Sequence, residues 1–262
     1  MPATKGETTM RGMVLASFAV ALLATSATTS AREISCDVES DYEFALTDRS
    51  VIFTRESGAP RTILMRKGEL FVDDTWVALS PADRARVIAY ERDARATMPL
   101  AQQIGRDAAE IAFTTLGEVA AGFSRNPAET RAKLAKARTQ LDARLARSVT
   151  PNRFNGEDIG EGIGAAVKDA LPSLMGDIVG GAIRAAFAGD TAQLKRMENM
   201  DRLIEARVEP RAKALERNAE LLCNRMEALE RIDNALEYRH NGQPLNLLEV
   251  RPETKRDNRD KN

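Results

Sequence analysis

A chain of 262 residues carries two cysteines, Cys36 near its start and Cys223 near the end of its last long helical pattern. Two cysteines allow one intramolecular pairing, and an oxidising compartment is where that pairing persists. Once formed, the bond pins the N-terminal segment to the C-terminal helix, so every fold that keeps those two regions apart is excluded. In the chain-entropy model a closed loop of roughly 190 residues contributes about 5 kcal/mol, from which native strain is subtracted. Pairing also removes both thiols from the list of nucleophiles.

The N-terminus supplies the compartment. Lys5 and Arg11 give a positive start that Glu7 partly offsets, and Met13 to Ala24 (MVLASFAVALLA) is an uncharged run of 12 residues. Thr29-Ser30-Ala31 then places small side chains where a signal peptidase reads them. Residues 1–31 are therefore expected to be a secretory signal peptide cleaved near Ala31, leaving residues 32–262. Glu33-Ile34-Ser35 before Cys36 does not suit lipidation, which needs an apolar residue and small ones directly after the leader. A run of 12 is too short for about 30 Å of hydrocarbon, and no other uncharged run approaches that length, so no transmembrane segment is expected in the mature chain.

Residues 32–79 carry a period of two. Tyr42, Phe44 and Leu46 alternate with Glu43 and Ala45, and SVIFTR, RTILM, ELFV and WVAL follow between turn signals at Ser57–Pro60, Lys67-Gly68 and Asp73-Asp74. This predicts a meander of four or five short antiparallel strands, which must lay its apolar face on helices. Over 80–150 three helices are expected. Ser80-Pro81-Ala82-Asp83 starts the first with a capping hydroxyl, a proline in the first turn and an acid at the positive end of the dipole. It is expected to break before Pro99; a second runs from Leu100 to Phe123, and Asn126-Pro127 opens a third with the stripe Leu134, Leu141, Leu145.

Residues 151–190 are rich in glycine and alanine, which suits either close helix packing or a hinge. The 191–240 segment is the strongest helical signal, with Val208, Leu215, Leu222, Leu229 and Leu236 at seven-residue intervals. Pro210 is expected to kink or break it. Arg211, Asn218 and Arg225 hold the second seam, which favours a mixed bundle over a self-sufficient coiled coil. In 241–262, Leu245 to Val250 is a short apolar piece able to dock, before a charged tail. The fold class is α+β and mainly helical: a small N-terminal β-meander packed on long helices, with its ends linked by the disulfide.

The run GELFVDDTWVALS from Gly68 to Ser80, followed by a helix reading to Met98-Pro99, resembles the YggN-like family of uncharacterised Gram-negative periplasmic proteins. The exported start, the early Cys36 and the late helical Cys223 fit the same pattern. The resemblance implies a periplasmic location and a sheet-plus-helices fold, and it carries over no catalytic residue.

Chemistry is sparse. With 38 Lys+Arg against 39 Asp+Glu, bulk electrostatics do not hold a nucleic acid. The single His240 stands alone, which disfavours metal and triad chemistry, so no metal, cofactor or catalytic residue is assigned. Asp37, Glu39, Asp41 and Glu43 alternate as a solvated face of one strand does, and they lack the Ca²⁺-loop pattern. Gly160-Glu161-Gly162-Ile163-Gly164 misses both phosphate-loop spacings. The charge pattern that points to a surface is in the third helix, where Lys133, Lys136, Arg144 and Arg147 share one face beside the leucine stripe. The functional expectation is a non-enzymatic exported protein that binds another envelope component through its helices. Alternatives are peripheral binding of an anionic lipid surface through residues 127–147, and a hydrolase built on carboxylates.

Overall fold

The computed structural model describes residues 36–123, 126–156, 159 and 191–252. Residues 1–35, which include the expected leader, residues 124–125, the rest of the Gly/Ala-rich segment and the residues beyond 252 lie outside the described residues. Along the chain come β1 (Cys36–Glu39), β2 (Glu43–Leu46), β3 (Val51–Thr54), β4 (Thr62–Arg66), β5 (Glu69–Val72) and β6 (Thr75–Val77). Then follow α1 (Pro81–Phe123), α2 (Pro127–Ser148), β7 (Val149–Thr150), β8 (Arg153–Asn155), α3 (Thr191–Asn234) and β9 (Glu249–Pro252).

Period-two patterning forms the sheet as expected. Strands β2 to β6 make an antiparallel meander, and the β7–β8 hairpin adds to its β2 edge, giving the order β6-β5-β4-β3-β2-β8-β7. Two-residue turns close two of the hairpins. Lys67 and Gly68 (φ 53° and 77°) and Asp73 and Asp74 (φ 46° and 63°) all take the left-handed conformation that matches strand twist. Gly68 has a second reason to lack a side chain, because a Cβ there would lie 2.7 Å from Ile88. The Glu91 carboxylate of α1 accepts the Lys67 and Gly68 N–H groups at 3.1 and 2.9 Å, fixing that turn to the helix.

One face of the sheet buries Leu46, Val51, Phe53, Ile63, Met65, Leu70 and Val72 against Val87, Tyr90, Ala94 and Met98 of α1. Each large side chain so buried contributes about 1.5–3 kcal/mol. The helix starts as its sequence predicts, with Ser80 Oγ accepting the Asp83 N–H at 3.1 Å.

It does not stop where the sequence predicts. α1 is continuous through Pro99, so the expected break into two helices is corrected. Pro99 has no N–H for the Arg95 carbonyl and crowds it, but the ring faces solvent while Thr97 and Met98 beside it are buried. The adjacent Ala96 carbonyl takes a hydrogen bond from the Arg225 guanidinium of α3, so a cross-helix donor serves the disturbed turn. α3 likewise runs unbroken past Pro210. At Pro99 buried neighbours outweigh the local penalty, and at Pro210, which is exposed, Arg207 and Arg211 on either side tie α3 to Glu118 and Glu110 of α1.

β1 does not join the large sheet. It pairs antiparallel with β9, Val38 opposite Val250, and this closes the N-terminal strand on the C-terminal one. Asp37 and Glu39 therefore belong to β1 while Glu43 belongs to β2, which corrects their placement in a single alternating strand. The Cys36–Cys223 disulfide, with Cα atoms 5.8 Å apart, links β1 to α3. The piece Leu245 to Val250 docks as a buried return, with Leu247 fully inaccessible. Replacing both cysteines by serine is expected to lower the unfolding free energy by about 2–5 kcal/mol. Urea titration of the oxidised protein and of C36S/C223S measures this, and coincident midpoints would mean that packing alone holds the ends.

Candidate functional site

The basic helix α2 is placed by its caps and by α1. Asn126 accepts the Glu129 N–H at 3.3 Å and Pro127 occupies the first turn. At the other end Gln102 of α1 donates its amide to the Leu145 and Val149 carbonyls at 3.2 and 2.7 Å, ending α2 where β7 begins. Leu134 and Leu145 are buried towards α1, opposite Gly117 and Gly105. A Cβ on Gly105 would stand 3.4 Å from a Leu145 methyl, so the glycine lets the two helices approach.

The structure sorts the six basic residues of α2 into two groups. Arg138 turns inward, and Arg131, though exposed, reaches towards α1. Arg138 pairs with Glu110 of α1, which also takes Arg211 of α3 at 3.1 Å. Arg131 lies 3.9 Å from Glu118 of α1, which also pairs with Arg207 of α3. Two carboxylates on the central helix thus each bridge an arginine from either side. The same seam continues with Asn218 donating to Asp107 at 3.2 Å and Arg225 to Ala96. The polar positions Arg211, Asn218 and Arg225 are therefore the ladder that registers α3 on α1.

Lys133, Lys136, Arg144 and Arg147 are all exposed. Lys133 pairs with Glu129 at 3.0 Å. Together the four mark one edge of α2 over about 21 Å of helix. Because the leucines of α2 face α1, this edge presents charge without an apolar wedge beside it.

Three buried carboxylates hold backbone. Glu91 grips the β4–β5 turn, as described. Asp83 accepts the Glu237 and Tyr238 N–H groups, each at 2.9 Å, and Arg86 at 2.7 Å. Burial opposes its ionisation, but those donors outweigh it and hold its pKa below the usual carboxylate value. Asp83 thus favours the folded state above the unfolded pKa, and that contribution is lost as the pH falls through the lower folded value. Asp233, on the last turn of α3, accepts the Leu247 N–H at 2.7 Å. Its burial dominates and pushes its pKa up to about 6.

The outer face of the sheet carries a feature that the strand patterns did not disclose. Trp76, Phe71, Leu64, Ile52 and Ala45 stand opposite one another in register across five strands. Polar Glu69 and Arg66 flank this apolar row on one side and Thr62, Thr54 and Glu43 on the other. Trp76 is 52% exposed. The row follows from pairing register, which no single strand reveals.

His240 pairs with Gln243, lies 3.2 Å from Asn241 and is near enough to Asp73 to favour that carboxylate's charged form. Among the described residues no group of three or more His, Cys, Asp or Glu could hold a metal ion, and no helix is long and apolar enough to cross a membrane.

These features define a class: an α+β domain closed by one disulfide, with a meander packed on three helices. The chain belongs to the family described as Protein of unknown function (DUF2884), which matches residues 36–248, from the first bridging cysteine to the buried return. No curated protein and no solved structure matches it.

The sorting of α2 predicts two outcomes. Glu110→Ala strands Arg138 and Arg211 and is expected to destabilise by about 1–3 kcal/mol. The charge reversal K136E/R144E on the exposed edge should stay within about 0.5 kcal/mol of the parent. Thermal and urea unfolding of both variants checks this, and the reverse ranking would contradict the sorting.

Proposed function

We propose that this is an exported, periplasmic protein of the YggN-like kind. It acts without catalysis, binding an acidic envelope protein through its helical surface. The observation that carries the reading is the outer edge of α2, where Lys133, Lys136, Arg144 and Arg147 are exposed. Arg138 is committed to the bundle and Arg131 reaches Glu118, whereas Lys136, Arg144 and Arg147 face outward. Export is supported by the signal-peptide grammar of residues 1–31 and by the compartment that a disulfide needs.

The buried carboxylates support a non-enzymatic role over the hydrolase reading, since Asp83, Glu91 and Asp233 each hold a backbone N–H. Lipid binding is the second reading. Each surface cation near an anionic bilayer contributes about 1 kcal/mol, and the α2 leucines that would insert are buried in the bundle. Four cations alone therefore give marginal, salt-sensitive attachment.

Crosslinking in intact cells should capture the same acidic protein reproducibly with the parent chain and lose it with K136E/R144E. An unchanged capture by that variant would refute the α2 surface. Salt-sensitive co-sedimentation with phosphatidylglycerol vesicles, abolished by the same charge reversal, would put the lipid reading in its place.

A further inference from the structure

The last described stretch of chain, residues 245–252, is held over the end of α3 by contacts with very different chemistry. Leu247 is fully buried and its N–H meets the Asp233 carboxylate at 2.7 Å. Ser40 donates its hydroxyl to the Leu247 carbonyl at 2.6 Å, and Glu230 accepts the Val250 N–H at 3.1 Å. β9 then pairs with β1. Asp233 itself is 5% exposed, and its Oδ1 is buried without a hydrogen-bond partner.

The Leu247 and Leu248 N–H groups favour the charged carboxylate, but burial outweighs them and no cation nearby neutralises it. Tyr90 approaches from α1, Tyr42 from the connection between β1 and β2, and Glu230 from one turn earlier on α3. The tyrosines are neutral near pH 7 and Glu230 repels. Among the described residues Asp233 makes no ion pair with a lysine, arginine or histidine. A charge placed there is relieved most cheaply by water, and the return is what separates it from water.

We infer that residues 245–252 form a pH-sensitive latch, which protonated Asp233 keeps closed in mildly acid solution and ionised Asp233 loosens towards neutrality. The disulfide confines the motion. Cys36 stays tied to Cys223 when β9 leaves, so β1 remains on α3 and its freed edge is what opening exposes.

The sign follows from linkage. The folded-state pKa of about 6 lies above the ordinary carboxylate value of 3.8. The folded form therefore binds the proton more tightly, and stabilisation present in acid is lost as the pH rises through that interval.

Hydrogen exchange of the oxidised protein, read on peptides covering residues 244–252 from pH 5 to 7.5 and corrected for intrinsic rates, tests the latch. Protection is expected to fall by roughly 10-fold between pH 5 and 7.5, levelling off above pH 6, while peptides of β3 and β4 keep theirs. Asp233→Asn retains an oxygen for the Leu247 N–H and should hold the acid-side protection throughout. Identical profiles for the parent and D233N, or an equal loss in β3 and β4, would overturn the inference. Carbon-13 titration of the Asp233 carboxyl in the parent decides it independently of the variant. A midpoint near 6 that tracks the loss of protection supports the latch, and a midpoint near 4 refutes it.

Discussion

Everything in this molecule is referred to α1. Its first half is the floor under the sheet, and its second half is the central member of the helical layer, with α2 on one flank and α3 on the other. That double duty requires one uninterrupted rod through Pro99, and the rod exists because buried neighbours and Arg225 support the turn that proline weakens. Were α1 two helices with a free joint, the sheet and the bundle would have no common frame. The disulfide and the β1–β9 pair would then be tying together parts that could swing.

Charge is used in three distinct ways along this frame. Glu110 and Glu118 are registration points, each engaging an arginine from both flanking helices, and they set how far α2 and α3 slide along α1. Asp83, Glu91 and Asp233 grip backbone N–H groups at turns and chain returns, where no secondary-structure partner exists for them. Lys136, Arg144 and Arg147 on the outer edge of α2 make no such contact among the described residues. The contrast between Asp83 and Asp233 shows that burial alone does not decide a carboxylate's state: Asp83 has three donors including a guanidinium, whereas Asp233 has backbone N–H donors and no cation among the described residues.

Much of this was legible in the residues. Alternation in Tyr42–Leu46 and SVIFTR, the Ser80 cap, the Asn126-Pro127 start and the seven-residue leucine spacing each report local physics, and each appears where expected. The continuity of α1 was hidden because Pro99 is a local stop signal that only distant packing overrides. β7, β8 and β9 were missed because VT, RFN and EVRP carry no apolar alternation and become strands only when a partner pairs with them. The pairing of Arg131 and Arg138 with α1 was partly readable, since they sit seven apart and off the face shared by Lys136 and Arg144. Their carboxylate partners were not, because Glu110 and Glu118 belong to a helix whose rotation is known only after packing.

We propose that the chain leaves the cytoplasm and sheds residues 1–31, and the structure seals it between Cys36 and Cys223. Intact mass spectrometry of the protein taken from its own cells under non-reducing, alkylating conditions reads both events at once. The predicted result is a species beginning at Arg32, two hydrogens lighter than the reduced chain and carrying no alkyl label. A species retaining Met13–Ala24, or one labelled at both thiols without reductant, would contradict it.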